Sequence, residues 1–162
     1  MQLKRCQNRQ AKPAASRLGA VLVENAVVAS VFGLFMAGIM EFGHAYMVQG
    51  VMNAAASRAA RFGAVDGATT AQTKDLALQV LSSAFRSANA TVTVKDASIF
   101  DEASVSPGRI NYDTLPNLEL KTAPKQRLYV VRVTVPYNSV ALLPPFWIKN
   151  MTLKAQSVMR HE

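Results

Sequence analysis

From Asn25 to Met40 the chain carries no charge, and from Leu18 to Met40 it carries one ionisable residue, Glu24. Inside hydrocarbon, a backbone must satisfy its own N–H and C=O groups, so about 20 apolar residues in a row are read as one spanning helix. No proline occurs between Ala20 and Ser106, so nothing stops the helix at the end of the apolar run. The pattern predicts one helix over 20–64, roughly 68 Å long and about twice the thickness of a hydrocarbon core. Its first half is expected in the membrane and its second half beyond it.

The chain has 162 residues, 18 of them basic and 10 acidic, for a net charge of +8. Five of the basic residues, Lys4, Arg5, Arg9, Lys12 and Arg17, lie in 1–18, which contains no acid. The charges beyond residue 18 are scattered and form no stripe, so the excess charge is not the footprint of a nucleic-acid binder. A basic head before an apolar run instead sets topology, with the N-terminus in the cytoplasm and the bulk of the chain on the far side. The one cysteine, Cys6, permits no intramolecular disulfide and no Cys-rich zinc site.

A basic head and an apolar run fit a secretory signal peptide, an uncleaved anchor or a prepilin leader. Glu24 separates them, because a carboxylate in a membrane segment costs about 2.5–3.5 kcal/mol near the bilayer centre. A signal peptide or a plain anchor has no use for it. The residues Arg17-Leu18-Gly19-Ala20-Val21-Leu22-Val23-Glu24 place Glu at the fifth position after a small residue. This resembles the type IVb prepilin motif, although Asn25 stands where that motif usually has an aromatic. The resemblance implies that prepilin peptidase cuts between Gly19 and Ala20. Glu24 would then lie in the first turn, where the helix dipole favours a negative charge, and within reach of a neighbouring subunit's α-amino group.

A second set of residues extends the likeness: Gly38-Ile39-x-Glu41-Phe42-Gly43, then Asn53-Ala54-Ala55, then Arg58-Ala59-Ala60-Arg61. Residues 17–65 resemble the TadE-like family of pseudopilins from the tight-adherence (Flp pilus) machinery, and 128–162 resemble it loosely. The resemblance implies a subunit of pilus assembly, serving adhesion and biofilm formation. It also implies partners: prepilin peptidase, other pilins and pseudopilins of that machinery, an inner-membrane assembly platform and the lipid bilayer. Glu24, Glu41, Phe42 and Gly43 become the expected assembly residues. Nucleic acid is not among the partners.

Within the long helix, Ala29, Gly33 and Ala37 recur every four residues, a small-residue stripe that suits close helix packing in lipid. Glu41 and His44 share a face near the outer boundary. Two ligands make no metal site, so an interfacial or intersubunit polar contact is expected. Arg58 and Arg61 read as a solvated face ahead of a break at Gly63–Gly67.

The remainder predicts an α+β unit. Thr69-Thr70-Ala71-Gln72 is a capping box opening a second helix, with Leu76, Leu78, Val80, Leu81, Ala84 and Phe85 on its apolar face and an end near Asn89. Thr91–Val94 favours a strand. Residues 100–126 read as a long surface loop and partner surface, with a short strand at Leu118–Lys121. Leu128–Val135 and Met151–Met159 alternate as strands, joined through the rigid apolar Pro144-Pro145-Phe146-Trp147. The expected fold is therefore α+β. A long N-terminal transmembrane helix continues into an exported domain, in which a second helix packs on a small antiparallel sheet. The expected divisions are a leader at 1–19, the membrane helix at 20–42, its exported continuation at 43–65 and the exported domain at 66–162.

The inventory for catalysis is thin. The two histidines, His44 and His161, lack Cys or Asp at catalytic or metal-ligand spacing, and no glycine-rich phosphate loop is present. Asp101 and Glu102 are adjacent and expected to diverge. No enzyme, cofactor or metal is expected. The expected function is that of a minor pseudopilin, single-pass in a bacterial inner membrane. The alternative is an uncleaved single-span scaffold of an envelope secretion complex.

Overall fold

A computed structural model describes residues 15–85, 89–101, 110–143 and 151–162. Residues 1–14 of the expected 1–19 leader, Glu102 and Pro144–Trp147 lie outside the described residues. The chain forms two compact units, one ending at Met40 and the other spanning Glu41–Glu162.

The described residues of the first unit, from Ala15 on, form a single helical stretch. Helix α1 runs over Ala15–Gly63, so it begins ahead of Gly19 and ends at the expected glycine. Its apolar large side chains stand in the open: Val21, Leu22, Val23, Val27, Phe32, Leu34 and Phe35 are all more than half exposed. The hydroxyl of Ser30 donates to the Ala26 carbonyl oxygen at 2.8 Å, so this polar group is satisfied inside the helix.

In the second unit the helix buries a face of its own. Val48, Met52, Ala55, Ala56, Ala59 and Ala60 are buried, at the three- and four-residue spacing of one helical face. They share a core with helix α2 (Thr70–Ser82) and one face of a three-stranded sheet. The sheet is antiparallel, in the order β1 (Thr91–Asp96), β2 (Leu128–Pro136), β3 (Thr152–Arg160). Val94 pairs with Val131, and Val133 pairs with Ala155. The alternation read in β2 and β3 is the observed one. Tyr129, Val131, Val133 and Val135 face the helices from β2, and Leu153 and Ala155 do so from β3.

The capping box is formed as expected. Thr69 Oγ1 accepts the Gln72 N–H at 3.2 Å, and Gln72 Oε1 accepts the Thr69 N–H at 3.1 Å. Helix α2 stops at Ser82 and not near Asn89. The hydroxyls of Ser82 and Ser83 donate back to the carbonyls of Gln79 and Val80 at 2.8 and 2.7 Å, which competes with further helix. Ala84 is exposed, whereas Phe85 still packs against the core from beyond the helix end.

The short strand expected at Leu118–Lys121 is replaced by one bridge, Asn117 to Lys95, and a 3₁₀ turn at Leu120–Thr122. The cause is Leu120, which is fully buried and whose N–H donates to Thr70 Oγ1 at 2.9 Å. The chain leaves the ladder to place that side chain. The described part of the expected 100–126 surface loop is also tied down. Lys95 Nζ donates to the carbonyls of Asp113 and Leu115 at 2.9 and 2.8 Å. Leu115 packs with Ala97 and Val130 in a second, smaller core on the far face of the sheet. Beside it, Arg132 is 6% exposed and lies 5.5 Å from the Tyr112 ring centroid.

The C-terminal end of α1 is capped by residues distant in sequence. The Tyr129 hydroxyl donates to the Ala60 carbonyl, the Glu162 N–H to Ala64 at 2.9 Å, and a His161 ring nitrogen lies 3.2 Å from the Gly63 carbonyl. The His161 contact meets a terminal carbonyl that a helix end leaves without an intrahelical partner, and the other two tie β2 and the chain end to the last turn.

Candidate functional site

The expected site residues all lie on α1 and fall into two groups. Gly19, Ala20, Glu24, Ala29, Gly33 and Ala37 belong to the first unit. Gly19 to Gly33 are exposed and Ala37 is half-buried. No described residue bonds the Glu24 carboxylate. A methyl group added at Gly19, Gly33 or Gly38 meets nothing within 4 Å, so no contact with a described residue explains these glycines. Any requirement for them comes from what surrounds the helix.

Glu41, Phe42 and Gly43 begin the second unit, and there the contacts are internal. Tyr137, in the 3₁₀ turn Tyr137–Ser139 after β2, donates its hydroxyl to Glu41 Oε1. The backbone N–H of Leu143 donates to Glu41 Oε2 at 3.0 Å. One turn along, His44 Nε2 lies 2.8 Å from the Val140 carbonyl oxygen, and an N–H at that nitrogen donates there. The turn closes on itself, with the N–H groups of Val140 and Ala141 both donating to the Tyr137 carbonyl, at 3.0 and 2.9 Å. Burial and the Glu41 carboxylate together push the Tyr137 hydroxyl up to about 12, so it stays a protonated donor. Glu41 and His44 thus form a latch that holds residues 137–143 against the start of the unit. The polar contact expected here is made within this chain.

Sequence reading missed Tyr137, Val140 and Leu143 as partners. They lie about a hundred positions from Glu41, and Leu143 contributes only its backbone. Phe42 is 74% exposed and Gly43 is open, so neither takes part in the latch.

Arg58 and Arg61 are exposed, as a solvated face requires. Arg58 also borders an open groove with Leu76, Gln79, Val80 and Ser83, a lining without an acid–base pair or a nucleophile–base pair. Among the described residues no group of three or more His, Cys, Asp or Glu is placed to hold a metal ion. Asp101 meets Arg160, at the end of β3.

Among the described residues one helix is long and apolar enough to cross a membrane, and the rest form a small α+β unit. Within that class, residues 19–61 match the family model described as TadE-like protein, the family that residues 17–65 resemble in sequence. No curated protein and no solved structure matches the chain.

Proposed function

We propose that this protein is a non-enzymatic, membrane-anchored subunit of Tad pilus assembly, a TadE-like minor pseudopilin. The observation that carries the reading is the family match over 19–61, which begins at Gly19, the residue after which prepilin peptidase would cut. Cleavage leaves Ala20 as the N-terminus and Glu24 in the first turn of a helix whose large apolar side chains are exposed. In a bundle of such helices, Glu24 pairs with the α-amino group of a neighbour and fixes register. The other pilins of the machinery and its inner-membrane platform are the partners, with the C-terminal unit on the extracytoplasmic side.

Two measurements test this. N-terminal sequencing of the protein from cells with a working prepilin peptidase is expected to begin at Ala20. An intact Met1 overturns the reading in favour of an uncleaved scaffold. Glu24→Ala is expected to be processed normally and to abolish piliation; normal pili remove the register role.

A further inference from the structure

The latch at Glu41 holds more than a turn. The residues it fixes end in two exposed leucines, Leu142 (55% exposed) and Leu143 (41% exposed). On the helix beside them, Glu41, His44 and Val48 face the turn or the core. Phe42, Tyr46 and Met47 face outward at 74%, 82% and 61% exposure. These five side chains form an apolar collar around the start of the second unit, and Glu41 directly follows the last residue of the apolar run.

We infer that this collar seats in the headgroup layer of the bilayer, so that the exported unit rests on the lipid surface and does not merely hang from its anchor. The inference rests on the membrane-anchored reading above. Three observations favour lipid as the occupant. The first is depth. Residues 19–40 rise about 33 Å at the helical 1.5 Å per residue, close to the roughly 30 Å of hydrocarbon, and residues 41–47 rise about 10 Å more, enough to cross one headgroup layer. The second is composition. Tyr46 lies one turn beyond Phe42 on the helix, and an amphipathic ring of its kind favours the interface. The third is the backbone. The N–H groups of Val140, Ala141 and Leu143 and the carbonyl of Val140 all have partners within the chain. A turn entering a water-poor layer must satisfy them itself, and Glu41 and His44 do that for Leu143 and Val140.

The test uses the full chain with Cys6→Ser, reconstituted at low protein density in phosphatidylcholine–phosphatidylglycerol vesicles. Single cysteines at Leu142→Cys, Leu34→Cys and Asp75→Cys carry an environment-sensitive fluorophore, read against lipids bearing a nitroxide at a shallow or a deep acyl position. The Leu142 probe is expected to be quenched at least twofold more by the shallow nitroxide than by the deep one. The Leu34 probe should show the reverse, and the Asp75 probe on α2 should be quenched by neither. A Leu142 probe that behaves like Asp75, with Leu34 quenched, overturns the inference and leaves the anchor standing. Absence of quenching at Leu34 as well overturns both. A Leu142 probe shielded only as protein density rises assigns the collar to a neighbouring copy, and also overturns the inference. Glu41→Ala in the Leu142→Cys chain is expected to halve the shallow quenching at unchanged far-UV circular dichroism; unaltered quenching removes the latch as its positioning device.

Discussion

The two halves of α1 solve different problems with the same backbone. Up to Met40 the helix carries Val, Leu, Phe and Met side chains that stay exposed within the chain. From Glu41 it carries alanines, with Val48 and Met52, on a face that its own sheet and α2 bury. Large residues suit a helix whose surroundings are fluid and come from outside. Small residues suit one that a twisted sheet approaches closely, because a close-packed interior leaves no room for extra methylenes. Hydropathy already separates the halves, because charged and polar residues return from Glu41; the small size of the buried side chains explains how the second half packs within its own chain.

The largest expected effect breaks this contrast directly. Met52 is fully buried, and Met52→Ala is expected to cost about 2–5 kcal/mol of the second unit's stability. Phe35→Ala, at a residue 69% exposed, is expected to leave that stability unchanged. Denaturant unfolding in detergent, followed by near-UV circular dichroism, checks both. Equal losses would mean that the first half of the helix is packed by this chain after all.

The next effect compares two glycines. At Gly63 an added methyl group meets Leu120 Cδ1 at 2.8 Å, Thr73 Oγ1 at 3.0 Å and Tyr129 Oη at 3.1 Å. Leu120 is the end of a flexible side chain, but it is fully buried and has little room to yield. Gly63→Ala is therefore expected to cost about 1–3 kcal/mol through overpacking. Gly33→Ala, where nothing lies within 4 Å, is expected to leave folding intact and to act, if at all, on assembly. Parallel thermal melts and pilus counts separate the two sites.

Much of this was legible in the sequence, for reasons that apply unevenly. The long helix follows from an apolar run with no proline, the second helix from its capping box, and β2 and β3 from strict alternation. These signals are local. The stop of α2 at Ser82 was not legible, because it depends on two serine hydroxyls that turn back onto carbonyls. Neither was the turn at Leu120, which a distant threonine sets. The residues that resemble the family's motif were legible at Glu41, but its partners Tyr137 and Leu143 were not. Pairing across the fold leaves no spacing to read, and a backbone N–H leaves no letter.

The smallest effect concerns the far edge of the sheet, at the end of β1. Burial alone would raise the Asp96 carboxyl, but hydrogen bonds from Arg127 and from the Ser98 N–H outweigh it and hold the group below the ordinary aspartate range. A depressed folded value contributes stability that is fully present above the unfolded value of about 4, and that is lost as the pH falls through the folded one. Glu119 adds to the same trend, since the Thr70 N–H at 3.2 Å lowers its carboxyl too. Arg127 is about two-fifths exposed in its side chain, so solvent screening keeps the pair's contribution small. Asp96→Asn is expected to lower stability slightly at pH 7 and to flatten, without abolishing, the fall in stability below about pH 4. Unfolding midpoints measured from pH 7 to pH 3 check it. A variant as acid-sensitive as the parent would assign the whole of that sensitivity to other carboxylates.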